Sequence, residues 1–374
     1  MADVSGANVR LERMRAKMAQ ENLESFYCLD LSSVKWLTGF QEVFDDEPAH
    51  LAFITENDAV LHTDSRYRDA AQRAAENTAW RVAATKTHAA WTAEAYEARC
   101  VESVERMGIE TSMTLGEYRA LQRAFGEVDP APEFAETSDF VRGLRAVKDQ
   151  AEVEALKAAQ KITDDAFAYI AQFIKVGMTE LEVKIELEET MRRMGAEDLA
   201  FASIVATGAN GAAPHAIAGQ TRLAPGDMVV LDFGARKNGY CSDMTRTVCV
   251  GHVTPQAQAV YDAVRAANEA VQAMLKPGVT GAEAHALAEQ VLEEHGFGGK
   301  MGHGLGHGVG LDIHESPNLS PRNPNPLEEG NVVTVEPGVY LDGVLGCRLE
   351  DFGIITEDGF CRFTQTPHDL IVVG

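Results

Sequence analysis

At 374 residues and 45% hydrophobic content, the chain exceeds one ordinary domain, can fill two cores, and is not disordered. Against 57 acidic residues stand 33 lysines and arginines, a formal net charge of -24 that repels nucleic-acid phosphates and anionic lipid, so small molecules, peptides and cations are the expected partners. Six scattered cysteines (28, 100, 241, 249, 347 and 361) with no CxxC pair argue against structural zinc and a disulfide framework. The start MADVSGANVR has no basic-then-apolar leader and no run of 18 apolar residues occurs, so the expectation is a soluble cytoplasmic protein with no membrane partner.

In chain order, the pattern predicts a helix around Arg10 to Glu21, short strands near Ser25 to Leu29, Leu51 to Ile54 and Ala59 to Thr63, and a helix from Tyr67. This is a mixed α/β domain, taken as residues 1–135. Around Glu127 to Glu136 the sequence EVDPAPEFAE breaks the periodicity and reads as a surface connection, with a linker over 136–148. A second domain, 149–374, opens with a capping box at Asp149 and Glu152 and a long helix whose apolar face carries Val153, Leu156, Ile162, Phe167 and Ile170. Thr254 and Pro255 start another long helix, stopped by Pro277 and Gly278.

These two long helices occupy matching places in a weak repeat. After the first comes GMTELE, with Thr179 and Glu182, and after the second GVTGAE, with Thr280 and Glu283; both read as capping boxes of a second helix. Those helices end at Gly195 and Gly296, and in the strands GDMVVLD and GNVVTVE a glycine precedes an acid by six residues, which gives Asp232 and Glu336 the same place. A period of about one hundred residues predicts two α+β halves related by pseudo-twofold symmetry.

The chemistry gathers at that seam. LDFGARKNGYCSDMTRT reads as a hairpin in which Asp232 and Asp243 share a face; they are directly opposite across a four-residue loop, or diagonal across a two-residue Asn-Gly loop. Two such acids repel unless a cation or a proton lies between them, and their apolar neighbours make the first strand look buried. In MGHGLGHGVGLDIHE, glycine alternates from Gly302 to Gly310, so an extended backbone puts His303, Leu305, His307, Val309 and Leu311 on one face. His314, beside Glu315, adds a candidate proton carrier. Glu336 and Glu350 lie on two further apolar strands, VVTVEPGVY and GCRLEDFGIIT. Four acids and one histidine on buried strands suit two hard or borderline divalent cations, Mn²⁺, Co²⁺ or Zn²⁺.

With these residues in place, the chain resembles the metallopeptidases of the pita-bread fold, which include prolidases, aminopeptidase P and methionine aminopeptidases. The likeness runs through SVKWLTGF, TDSRY, LRAVKDQAEVEALKAAQKITDDAF, SIVATGANGAAPHA, the hairpin, HGLGHGVGLDIHE, VEPGVY and RLED. The resemblance implies that Asp232 binds one metal, that His307 and Glu336 bind the other, and that Asp243 and Glu350 bridge them. It makes Glu336 the acceptor of the attacking water's proton and His215 a substrate contact beside the scissile bond. His303 and His314 become the residues that orient substrate and stabilise the tetrahedral intermediate, with Arg348 and Tyr340 supporting the site.

Methionine aminopeptidases usually lack a first domain of this size, so an Xaa-Pro enzyme is implied, acting on a proline-containing dipeptide or oligopeptide. Aminopeptidase P commonly has an acid just before its WYFTGF-like motif; here Ser33 precedes VKWLTGF, which favours the dipeptidase. A metal-free creatinase or a non-catalytic relative would be expected to lack several of the five ligands. Mn²⁺ and a homodimer complete what the resemblance implies.

Overall fold

The computed structural model describes residues 4–40, 43–45, 47–99 and 103–374, and the chain divides into two compact units, Met1–Arg145 and Ala146–Gly374. Among the described residues no helix is long and apolar enough to cross a membrane. Cys28, Cys241, Cys249 and Cys347 are buried free thiols and Cys361 an exposed one, while Cys100 lies outside the described residues.

The first unit runs α1 (Val4–Gln20), β1 (Ser25–Cys28), α2 (Leu31–Thr38), β2 (Leu51–Thr55), β3 (Ala59–His62), α3 (Arg68–Ala75), β4 (Arg81–Ala83), α4 (His88–Glu97), β5 (Arg106–Glu110), α5 (Leu115–Ala124), β6 (Glu133–Thr137) and α6 (Phe140–Arg145). Its strands form one mixed sheet in the order β4-β3-β2-β1-β5-β6. β2 pairs antiparallel with β1 and, across a short turn, with β3, whereas β3–β4 and β5–β6 are parallel because α3 and α5 supply the crossovers. Tyr27, Phe53, Tyr96, Met107 and Leu121 fill a core against this sheet.

The expected surface connection at Glu127 to Glu136 is only partly one, since Glu133 already belongs to β6. As an edge strand, β6 turns Glu133 and Glu136 to solvent and buries Ala135 and Thr137, and an acidic edge after two prolines looks like a loop when read alone.

The second unit begins with α7 (Gln150–Phe173) and α8 (Glu180–Arg193). It continues through β7 (Asp198–Leu199), β8 (Ile204–Thr207), β9 (Met228–Phe233), β10 (Ala235–Lys237), β11 (Tyr240–Cys241) and β12 (Met244–Val250). Its second half holds α9 (Pro255–Met274), α10 (Gly281–Glu294), β13 (Gly306–Gly308), β14 (Glu315–Leu319) and β15 (Val332–Val335). It closes with β16 (Gly338–Leu341), β17 (Leu345–Arg348), β18 (Asp351–Thr356), β19 (Gly359–Arg362) and β20 (Val372–Val373).

Capping boxes start α7, α8 and α10, and Thr254 with Pro255 starts α9. In the first half, α7 and α8 bury Ile162, Phe167, Val183 and Leu187 with Val229, Leu231 and Phe233 of the sheet β20-β12-β9-β8. In the second, α9 and α10 bury Val260, Val264, Ala284 and Ala288 with Val333 and Val335 of the sheet β14-β13-β15-β18-β19. The seam is hydrogen-bonded, Glu350 N donating to Thr245 O at 3.1 Å and Thr247 Oγ1 to Arg348 O at 2.8 Å.

Candidate metal centre

The first carboxylates sit on a hairpin whose register is set by its turn. Asn238 and Gly239 take φ of 51° and 79°, the left-handed pair of a two-residue turn, and β10 and β11 close around them with Lys237 opposite Tyr240. The same register places Thr245 opposite Asp232, so Asp243 is its diagonal neighbour, the second of the two arrangements the sequence allowed.

His307 comes from β13, which is shorter than the glycine alternation suggested. Only Gly306–Gly308 is strand, and Gly302 is left-handed with φ of 73°. The glycines serve close approach rather than a long extended face: a Cβ at Gly306 would run into the Thr334 carbonyl of β15. Leu305 and Val309 accordingly go into the core, while the His307 ring reaches the carboxylates.

His307 Nε2 lies 3.5 Å from Asp243 Oδ2 and 3.4 Å from Glu336 Oε1. Its Nδ1 faces the Gly308 carbonyl at 3.0 Å, which assigns the proton to Nδ1 and leaves the Nε2 lone pair toward the acids. Burial lowers His307 to about 4, so the ring is neutral near pH 7. One ligand atom each of Asp243, His307 and Glu350 falls within 4.8 Å of the others. Asp232 completes the group through Arg348, whose Nη2 donates to Asp232 Oδ2 at 2.6 Å.

The carboxyls are crowded beyond what burial alone imposes. Burial, then Glu350, Asp232 and Glu336, push Asp243 well above the usual carboxylate range. Glu350 rises for the same reasons, burial first and then Glu336 and Asp232. Burial lifts Glu336 to about 8 against the pull of Arg348, with Asp232 adding to the rise. The buried Asp232 Oδ1 has no hydrogen-bond partner among the described residues. Carboxyls that repel one another, an orphaned oxygen and a neutral imidazole with its lone pair inward are a donor set made for divalent cations, and the residues present fit them.

Around this set, Tyr340 Oη accepts from Arg348 Nη1 at 2.7 Å and meets His303 Nε2 at 3.0 Å. His303 Nδ1 faces the Gly304 carbonyl at 2.7 Å, and burial holds the ring down to about 4, with Arg348 and His215 adding repulsion. His314 is exposed and sets its ring edge-on to His307, centroids 4.4 Å apart. His215 is exposed as well, joined to the site through its neighbour Pro214, whose carbonyl accepts from Arg348 Nη1 at 3.4 Å.

Three contributors escaped the sequence reading. Thr245 Oγ1 donates to Glu350 Oε2 at 2.7 Å and accepts from Arg348 Nε at 3.0 Å, while Thr334 Oγ1 donates to Glu336 Oε1 at 3.3 Å. Each lies two residues from an acid that flanks its strand, Asp243 before β12 and Glu336 after β15, so period-two spacing was the available signal. Arg246, on the opposite face, donates to the carbonyls of Thr245 at 2.9 Å and Glu350 at 2.6 Å and to Asp351 Oδ1 at 2.7 Å. Burial works against ionised Asp351, but Arg246 and His368 hold it low. One guanidinium thus clamps the backbones that carry ligands from both halves.

A pseudo-symmetric α+β unit with such a centre defines a metal-dependent hydrolase, and comparison with known proteins narrows this. Residues 154–357 match the metallopeptidase family M24 and residues 10–147 the creatinase/prolidase N-terminal domain, and the chain belongs to that metallopeptidase family. The Xaa-Pro dipeptidase of Pyrococcus furiosus is 37% identical over 278 residues, 74% of this chain and 78% of that protein. The solved structure of an Xaa-Pro dipeptidase from Bacillus anthracis matches with TM-score 0.90 and 35% identity, covering 98% of this chain and 100% of that one. An X-Pro aminopeptidase from Thermotoga maritima matches with TM-score 0.85 and 34% identity over 97% of this chain and 100% of its own.

Proposed function

We propose that this metallopeptidase hydrolyses the bond between a residue and a following proline, acting as an Xaa-Pro dipeptidase. The observation that carries the reading is the meeting of His307 with Asp243 and Glu336 at 3.5 and 3.4 Å in a cluster of crowded carboxyls. The Bacillus anthracis dipeptidase, similar over 98% of the chain, supports the substrate class.

Asp232, Asp243, His307, Glu336 and Glu350 would hold two divalent ions, for which we assign Mn²⁺ from the carboxylate-rich donors, Co²⁺ and Zn²⁺ fitting the same set. When bound, such a pair supplies Lewis acidity toward the scissile carbonyl and toward a water. Glu336, which meets His307 Nε2 at 3.4 Å, is the general base that takes the water's proton. His303 and His314 orient the peptide and hold the tetrahedral carbon's substituents, and His215 contacts substrate beside the scissile bond. Tyr340 and Arg348 fix His303 and Asp232 in place. A homodimer in the cytoplasm completes the reading.

The likeness to the Thermotoga maritima aminopeptidase favours a second reading, removal of the first residue from longer peptides. Hydrolysis of Ala-Pro and Ala-Pro-Ala under equal Mn²⁺ loading separates the two. Selective cleavage of Ala-Pro is expected; comparable rates reassign the protein as an aminopeptidase, and full activity on Ala-Pro after exhaustive chelation defeats both. Light scattering at micromolar concentration checks the dimer.

A further inference from the structure

Glu180 opens α8 and is wholly buried, at 0% exposure, although it lies outside the five-residue metal cluster. Its carboxyl oxygens accept from Thr207 N at 2.8 Å, from Asn210 Nδ2 at 2.9 and 3.0 Å, and from Gly219 N at 3.0 Å. These donors bracket a single segment. Between them run the tight turn Gly208–Ala212, Pro214 with its carbonyl on Arg348, exposed His215, and Ile217 at 86% exposure. Taking a carboxyl out of water is costly, and here four N–H···O contacts and the positive end of α8 offset the cost.

The other half builds the same helix start without this acid. Gly177 N donates to Leu223 O at 2.8 Å and Leu181 N to Gly219 O at 3.0 Å; the counterparts are Gly278 N to Leu327 O at 2.9 Å and Ala282 N to Asn323 O at 2.9 Å. Where the first half has Glu180 the second has Gly281, and a Cβ there would run into the Asn318 carbonyl. The repeated framework therefore forms without a buried carboxyl at this place. What Glu180 adds is peculiar to the segment 207–219.

We infer that Glu180 is a positioning residue that ties both ends of segment 207–219 and so aims His215 at the substrate. The inference rests on the reading of His215 as a substrate contact. No bond to substrate comes from Glu180 itself; it acts through the loop.

The test uses the full chain loaded with Mn²⁺ and Ala-Pro as substrate, with Glu180→Ala, Glu180→Gln and His215→Ala. Glu180→Ala is expected to raise KM roughly tenfold with kcat unchanged, the mark of a misplaced binding group. Glu180→Gln, which keeps an acceptor oxygen, recovers most of that loss, and calorimetric Mn²⁺ affinity stays at the parent value in both. Hydrogen exchange at the Thr207 and Gly219 amides accelerates in Glu180→Ala. In the His215→Ala background, Glu180→Ala adds no further rise in KM. A loss that falls on kcat or on Mn²⁺ affinity overturns the inference. Unchanged exchange at both amides overturns the clamp while leaving the His215 reading standing, whereas faster exchange with a normal KM in His215→Ala overturns the His215 reading and the inference with it.

Discussion

The two halves of the catalytic unit place one carboxyl each at equivalent points, and they treat those carboxyls differently. Asp232 lies within β9, faces Thr245 across the hairpin and pairs with Arg348 at 2.6 Å. Glu336 follows β15, takes a Thr334 hydroxyl at 3.3 Å and looks at His307, and burial lifts it to about 8. One has a guanidinium at hydrogen-bonding distance; the other has a weak donor and a neutral ring. The repeat accounts for where the acids stand, and the departures from it give them different chemistry. A carboxyl met by a long hydroxyl contact and a neutral ring suits a base, while one gripped by arginine suits a fixed ligand.

The largest effect should come from breaking that division at Glu336. Glu336→Gln keeps the volume and loses the base, and a fall in kcat of roughly 10²–10⁴-fold is expected from what general bases contribute. Steady-state rates on Ala-Pro, with circular dichroism to check the fold, decide it; near-normal turnover would remove Glu336 from the base role. Arg348→Met tests the other side. Loss of a group that orients a ligand costs about 10–100-fold in metal affinity or activity, so calorimetric Mn²⁺ binding should weaken by that order. Equal Mn²⁺ affinity in Arg348→Met would mean that Asp232 is placed by its strand alone.

Protons offer a gentler way to perturb the comparison. In metal-free protein the folded value of Glu336, about 8, lies above that of an unfolded carboxyl, so folding takes up a proton between the two. The stability this provides is complete below pH about 4.3 and is lost as pH rises through about 8, by up to about 1.4 kcal/mol per pH unit. Asp351, one residue from Glu350 but on the Arg246 side of the strand, has the opposite sign: held low, it stabilises above the unfolded value and gives that up on acidification. Urea midpoints of the metal-free chain should therefore fall toward alkaline pH, and saturating Mn²⁺ should flatten the slope. A flat metal-free profile would contradict the crowding.

Much of this was legible in the sequence because local chemistry and tertiary structure agree there. Asp149, Thr179, Thr254 and Thr280 each cap the helix their spacing announced. Asn-Gly between apolar runs signalled the hairpin, but its loop length, and with it the diagonal placing of Asp243, depended on positive φ at both residues. The glycine run was misjudged in extent, since alternation cannot distinguish a long strand from a short one pressed against the Thr334 carbonyl. Glu133–Thr137 was hidden by the acids and prolines that an edge strand tolerates. Glu180 could not be found by period or motif, because its partners Thr207, Asn210 and Gly219 lie 27 to 39 residues away and meet it only in the fold.

The smallest expected effect is the most discriminating between the halves. Thr179 and Thr280 cap α8 and α10 with the same reciprocal bonds, Glu182 N donating to Thr179 Oγ1 at 3.1 Å and Glu283 N to Thr280 Oγ1 at 3.1 Å. Replacing either by alanine should cost about 1 kcal/mol in a urea titration, because the chemistry lost is the same. Their kinetic consequences should part. Loosening the start of α8 also loosens Glu180, one residue on, so Thr179→Ala should raise KM for Ala-Pro, whereas Thr280→Ala, followed by Gly281, should leave it alone. Equal KM values in the two variants would mean that the first half's helix start serves only the fold, as its counterpart does, and the functional asymmetry would then reside wholly in the ligand strands.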